Sequence, residues 1–375
     1  MPTRTISPGQ FATLIVAAYL GAGIFQFPRQ LVASGGLDAV YAFALECLGA
    51  YGGLWLWFRV NRLQPDQQVS GFSRRYVGPW VAYPLLAFTV VLHIVLAVLA
   101  LANFGWVMVT FFLPDTPAWA IRTAVLLVAL YMAWFDTPVL GRTLQTVVLP
   151  AMLASIVMGI LLLDRMSYAY ALLPTLHPAW RPLLVAAYRG SYIFWGYEVT
   201  VTLYPFVRSA DRRRAERLAL CSMAGTFLFL LFGYTLTVGV DGPAMVALTP
   251  WPAVSAMRLI DVSGFIINKL GLLVVVFWGL FVLAFSGIRL WCVAHDVMPP
   301  FGLSGVARYR LLLLGAGAVV FGLSFGFSSV VAVVTFSERW MVPAMIGYNF
   351  GLPPLLLLAA AIRGVLAGRG WLKPA

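Results

Sequence analysis

The stretch Leu20–Arg29 reads LGAGIFQFPR and interrupts an apolar run that begins at Ile6. A helix that only crosses a bilayer gains nothing from two glycines two residues apart, followed by Pro28 and Arg29. In hydrocarbon an unpaired N–H or C=O costs several kcal/mol, so irregular backbone survives only where it lines a cavity or meets a ligand. Gly21 and Gly23 permit such geometry and leave space beside it. The competing reading is that small residues let two helices pack closely.

A second interruption weighs against packing alone. The run Tyr188–Val199 reads YRGSYIFWGYEV and places Gly190, Ser191 and Gly196 in the middle of another apolar segment. The two interruptions lie five spans apart. Five is odd, so two five-span repeats run in opposite directions through the membrane. This is the inverted-repeat plan in which each repeat opens with a helix broken at the midplane. Repeat one covers about residues 6–165 and repeat two about 180–363, within a single integral membrane domain. Half-helix N-termini suit a carboxylate, and freed carbonyls suit an ammonium or a small cation. An amino acid carries both groups.

Composition demands a membrane. The 375 residues are 62% hydrophobic and only 10% charged, with a mean hydropathy of +0.91. A soluble chain carries about 25% charged residues. At about 20 apolar residues per crossing, ten spans are expected. They lie near Pro8–Ser34, Leu37–Val60, Val81–Phe112, Ala118–Trp134, Leu144–Leu163, Pro182–Val207, Ala215–Val240, Gly264–Cys292, Leu311–Phe327 and Ser337–Ile362. The first run is too long for a signal-peptide core and no small-residue cleavage site follows it, so it is read as a retained helix.

Net charge is +12. With the N-terminus inside, 17 of the Lys and Arg residues fall on the inner face and eight on the outer face or outer helix halves. This bias predicts both termini inside. The run Ala210–Leu218, ADRRRAERL, is the strongest inner anchor, placed to touch anionic lipid. Cys47, Cys221 and Cys292 lie singly in apolar segments and read as packing residues.

Ionisable groups inside spans default to function. Glu46 lies about 14 Å into the second span at ~1.5 Å per residue. Glu198 follows the second interruption, and His93 sits near the middle of the third span. Each carboxyl reads either as a proton carrier or as a structural group that caps freed backbone or pairs with an arginine. His93 reads as a packing residue or a ligand contact. Arg29 anchors the outer half of the first span or closes an outer gate. Phe25, Phe27, Phe194 and Trp195 read as an apolar lid or, each singly, as packing residues. There is no HExxH, no paired Cys/His cluster, no phosphate loop and no nucleophile elbow. No enzyme and no cofactor are expected.

The order of motifs resembles a known family. ISPGQ (Ile6–Gln10) opens the first span, LGAGIFQFPR follows, and Gly35–Asp38 turns into a span carrying Glu46. The sixth span reads FWGYEVTVTLYPFV (Phe194–Val207) ahead of a basic loop, and GLPPLLLL (Gly351–Leu358) precedes Arg363. These resemble the spore germination permeases, the GerAB-type B subunits of germinant receptors, within the amino acid–polyamine–organocation superfamily. The resemblance implies an all-α polytopic membrane protein with a LeuT-like five-plus-five inverted repeat. It implies a small nutrient ligand, usually an amino acid, bound between spans 1, 3, 6 and 8. It also implies A-type and C-type partner subunits in a spore inner membrane. Carried onto this sequence, the ligand contacts are Gly21, Ala22, Gly23, Ile24, His93, Ser191, Tyr192, Phe194 and Trp195. Glu46, Glu198, Arg29 and Ser286 would serve coupling or gating. The fifth span lacks the lysine that proton-coupled relatives can place there. A sodium site would need first-span carbonyls and eighth-span hydroxyls, of which Ser286 is the available one.

Overall fold

The computed structural model describes residues 5–21, 23–260 and 271–366. Helix α1 (Pro8–Leu20) starts because ISPGQ is a capping box. The Ser7 hydroxyl accepts from the Gln10 N–H at 3.2 Å, and Gln10 Oε1 accepts from the Ser7 N–H at 2.8 Å. Pro8 fills the first helical position, where no N–H is needed. The chain then breaks and resumes as α2 (Phe27–Gly35), and a short 3₁₀ turn leads into α3 (Ala39–Leu63). An amphipathic segment, α4 (Val69–Val77), precedes α5 (Pro79–Phe111), α6 (Ala118–Ala133) and α7 (Thr137–Ile160).

The second half opens with α8 (Trp180–Gly190), followed by 3₁₀ turns over 191–194 and 197–199 and the single turn α9 (Thr200–Leu203). Then come α10 (Arg212–Leu248), α11 (Pro252–Met257), α12 (Gly271–Val297) and α13 (Val306–Ser324). The last span runs through α14 (Val330–Phe336), α15 (Val342–Ile346) and α16 (Leu352–Leu366), joined by π-helical turns at 337–341 and 347–351. Among the described residues these elements string together as ten apolar passages, with α1–α2 and α8–α9 as the two broken ones. Seven helical stretches are long and apolar enough to cross a membrane unaided. The breaks leave the two interrupted spans in pieces too short to cross alone. No strand forms among the described residues. Ile6 and Val207 make one isolated bridge that ties the N-terminal segment to the end of the sixth span, with the Ile6 N–H donating to Phe206 O at 2.9 Å.

Burial sorts the spans. The apolar window of α12 is 72% buried and that of α5 is 61%, against 22% for α7. α12 packs on α1, α5, α6, α7 and α13, so it is the central post. α7, α10 and α13 present more of themselves to lipid. Span ends differ from the hydropathy reading where turn chemistry intervenes. The fifth span starts at Thr137, earlier than Leu144, because Pro138 sets its first turn, and Asp136 precedes that helix. The third span starts at Pro79 after Gly78, whose φ of +82° suits glycine. α10 runs on to Leu248 through a kink where Gly242 has φ +74° ahead of Pro243.

Two of the residues counted in the charge bias, Arg122 in the outer set and Arg289 in the inner set, turn into the protein. Arg122 is buried and its Nη1 donates to Ser324 O at 2.7 Å, closing the end of α13. Arg289 is buried completely. Charge counted along a sequence records nearness to a span end, whereas helix register decides which way a side chain points.

Candidate functional site

The two breaks touch each other. A Cβ added at Gly196 would lie 2.3 Å from the Ala18 carbonyl oxygen and 2.9 Å from the Tyr19 nitrogen. Only a glycine lets the sixth span lie against the backbone of the first this closely. Gly21 ends α1 and seats its backbone on span eight, where a Cβ would come 2.1 Å from Phe285 Cβ. Gly23 does the same against the Tyr192 ring, at 2.0 Å from Cε2. The glycines of LGAG therefore serve close approach as well as the break itself. Ala22 lies outside the described residues.

A small cavity opens beside the breaks. It is lined by Gln26 at the N-cap of α2 and Gln30 within it, Leu96 and Leu99 of α5, Tyr192 and Trp195 of the sixth-span break, and Ser337 and Glu338 of the tenth span. Gln26 and Gln30 sit four residues apart and so share one helix face. The Tyr192 hydroxyl donates to Gly23 O at 3.3 Å and lies 3.3 Å from Gln30 Oε1. Gln26 Nε2 donates to Asn103 Oδ1 at 2.6 Å, and Trp251 Nε1 donates to the same oxygen at 3.1 Å. Arg189 approaches Glu338 to 3.9 Å from the more exposed side. The cavity holds about 20 Å³. One water needs roughly 10–15 Å³ on this measure, so the cavity has room for about one water.

The expected site residues divide between this cavity and other places. Tyr192 and Trp195 line it, and Gly23 contributes its carbonyl through Tyr192. Ile24 faces a separate apolar pocket with Phe25, Phe27 and Trp278. The Ser191 hydroxyl is spent on Tyr188 O at 2.8 Å. Phe194 packs on Phe227 and Phe43, with ring centroids 5.1 and 5.8 Å away. Arg29 Nε donates to Ala247 O at 3.3 Å, which pins the outer half of the first span to the end of α10.

His93 and Glu198 join a buried charged cluster beneath the breaks, built around Arg289. Arg289 Nη1 pairs with the Glu198 carboxylate and lies 3.0 Å from His93 Nδ1. Arginine only donates, so Nδ1 accepts and the His93 proton sits on Nε2. That nitrogen faces Asp296 Oδ2 at 3.9 Å. Asp296 also accepts from the Thr202 hydroxyl at 2.9 Å. Arg289 Nη2 reaches the backbone oxygens of Trp195 at 3.3 Å and Ala18 at 3.5 Å. Ser286, one turn earlier on α12, is fully buried with no hydrogen-bond partner among the described residues. Glu46 stands apart. It is 6% exposed, abuts Gly190, and neither carboxyl oxygen has a partner among the described residues.

Reading the sequence missed Arg289, Asp296, Gln26, Gln30, Asn103 and Glu338. Arg289 and Asp296 carried a usable signal. Both lie in an apolar run seven residues apart, on one face of a helix.

Comparison with known proteins agrees with this geometry. Over 97% of this chain and 89% of its own, a solved structure of MhsT in complex with L-phenylalanine superposes with a TM-score of 0.65 at 12% identity. Mhp1, a nucleobase-cation-symport-1 family transporter in a closed conformation with bromovinylhydantoin bound, gives 0.66 at 13% identity, over 98% of this chain and 81% of that one. At such identities the likeness shows the fold, that of LeuT-like transporters with broken first and sixth helices. Among curated sequences, spore germination protein YndE of Bacillus subtilis is 21% identical over 95% of this chain and 96% of its own. Spore germination protein KB of the same organism is 22% identical over 71% of each chain. The profile of the spore germination protein family matches residues 5–321, and this integral membrane chain belongs to that family.

Proposed function

We propose that the chain is the nutrient-sensing membrane subunit of a spore germination receptor and that its ligand is a small amino acid. The observation that carries this reading is the cavity where the two breaks meet. Its polar lining is mixed: a carboxylate on Glu338, amides on Gln26 and Gln30, and the Tyr192 hydroxyl. Glu338 suits the ammonium of a zwitterion. The side-chain amides and the first turn of α2 suit its carboxylate. Trp195, Leu96 and Leu99 offer apolar surface to a side chain. MhsT binds an amino acid on the same fold, which supports the class of ligand.

The cavity as it stands admits no amino acid. Binding therefore requires a more open state, and the ligand shifts the balance between states by its differential affinity for them. In this reading that shift passes to A-type and C-type subunits in the spore inner membrane, with both termini inside. The two halves, about 6–165 and 180–363, act as inverted repeats hinged at the breaks. A second reading, a proton-coupled amino acid transporter, is favoured by the unpartnered Glu46 and by the His93–Asp296 approach.

One experiment separates the two. Purified protein in liposomes is screened with radiolabelled amino acids for binding, and any hit is tested for uptake with and without a pH gradient. Binding without uptake is the expected result. Uptake driven by the gradient would make the protein a permease, and absence of all binding would remove the amino acid.

A further inference from the structure

At the breaks two helix C-termini point at one place. α1 ends there at Gly21, and the segment from α8 ends there at Trp195. Each such end carries a partial negative charge of roughly half an electron. The Glu198 carboxylate lies at the same place and is 2% exposed. An uncompensated concentration of negative charge in a membrane interior is prohibitive, so a cation must be present.

The set of oxygens does not suit a metal ion. The Ala18 and Trp195 carbonyls already accept from a guanidinium, and the Ser286 hydroxyl, which α12 could offer, has no hydrogen-bond partner among the described residues. The cation in place is Arg289. Its planar fork spreads one charge over several donors, which matches two carbonyls, a carboxylate and an imidazole nitrogen in different directions. The Phe285 ring stacks beneath it, 4.7 Å from the guanidinium carbon.

We infer that Arg289 is a resident cation, tethered to α12, which occupies the place at the helix breaks where a dissociable coupling ion would bind. The protein consequently needs no sodium or potassium to close around its ligand. A tethered charge cannot be released to either side, so the closed arrangement of the two breaks draws nothing from a sodium or potassium gradient. This goes beyond the sensing role and holds whatever the ligand is.

The test uses the full chain in lipid nanodiscs. Thermal unfolding is followed by tryptophan fluorescence in sodium, potassium and choline chloride at equal ionic strength. Wild type is expected to melt at one temperature in all three. Arg289→Ala vacates the place but leaves Glu198 and both carbonyls. It is expected to melt several degrees lower in choline and to regain part of that loss in sodium, or in guanidinium too dilute to denature wild type. If Arg289→Ala does not insert, Arg289→Lys, which keeps the charge on a flexible stem, is expected to insert and to ignore the salt. A wild-type melting point that rises in sodium overturns the inference. So does an Arg289→Ala protein indifferent to sodium and guanidinium alike, because a plain structural tie behaves that way. A sodium-dependent Arg289→Lys protein would also overturn it.

Discussion

At the scale of single residues, Gly196 and Tyr192 carry the sharpest expectations. A methyl at Gly196 meets backbone of the first span at 2.3 Å, and backbone cannot swing aside as a side-chain tip can. Gly196→Ala should cost about 1–3 kcal/mol or more, the range for forced overpacking. Gly225 and Gly233 in α10 have nothing within 4 Å of an added Cβ, so alanine there should be neutral or stabilising by up to ~1 kcal/mol. Melting temperatures of the three variants check this, and equal values would mean that the two breaks do not touch. Tyr192→Phe removes the hydroxyl that bonds the Gly23 carbonyl. A net hydrogen bond is worth about 0.5–1.5 kcal/mol, so affinity for the amino acid found in the liposome screen should fall by roughly two- to twelvefold. The same scale shows what one sequence can reveal. Glycines in an apolar run advertise a break because bare backbone in hydrocarbon needs a reason. Arg289 was easier to misread, because a charge near the end of a span looks like an anchor, and only its i, i+7 spacing to Asp296 hints that the register of α12 turns it inward.

At the scale of elements, the site is assembled from pieces that read poorly alone. The first and sixth spans were legible through their glycines, and α1 through its capping box. The tenth span was legible only as an apolar run, yet its π-helical turn at 337–341 brings Ser337 and Glu338 to the cavity. A π turn re-aims side chains by inserting a residue into the helical ladder, and no periodicity in the sequence marks it. Asn103 was equally silent, since its partners Gln26 and Trp251 come from elements far away in the chain. If Glu338 receives the ligand ammonium, Glu338→Gln replaces a charge-assisted bond with a neutral one. Such a bond is worth about 1.5–3 kcal/mol against about 0.5–1.5 for a neutral one, so amino acid binding should weaken by roughly five- to twelvefold. Isothermal titration in nanodiscs measures it. An unchanged dissociation constant would move the ammonium contact to the Gly23 carbonyl.

At the scale of the molecule, a cavity of about 20 Å³, too small for an amino acid, sets a condition on kinetics. If the open state is a minor one, the observed affinity falls by the fraction that is open. Whatever holds the closed state then limits how fast ligand arrives. The pair between Arg189 of α8 and Glu338 of the tenth span bridges two elements that must separate for an amino acid to reach the breaks. Arg189 is 47% exposed on its side chain, so solvent screens the pair and its worth is at most about 1 kcal/mol. Arg189→Ala should therefore raise the association rate by up to roughly fivefold, and it leaves Glu338 free for the ligand. Trp195, in the cavity wall, supplies the stopped-flow fluorescence signal. An association rate that does not move would place the barrier deeper, at the hydrogen bond from the Tyr192 hydroxyl to the Gly23 carbonyl. The Tyr192→Phe variant would then be the one to bind faster even as its affinity falls.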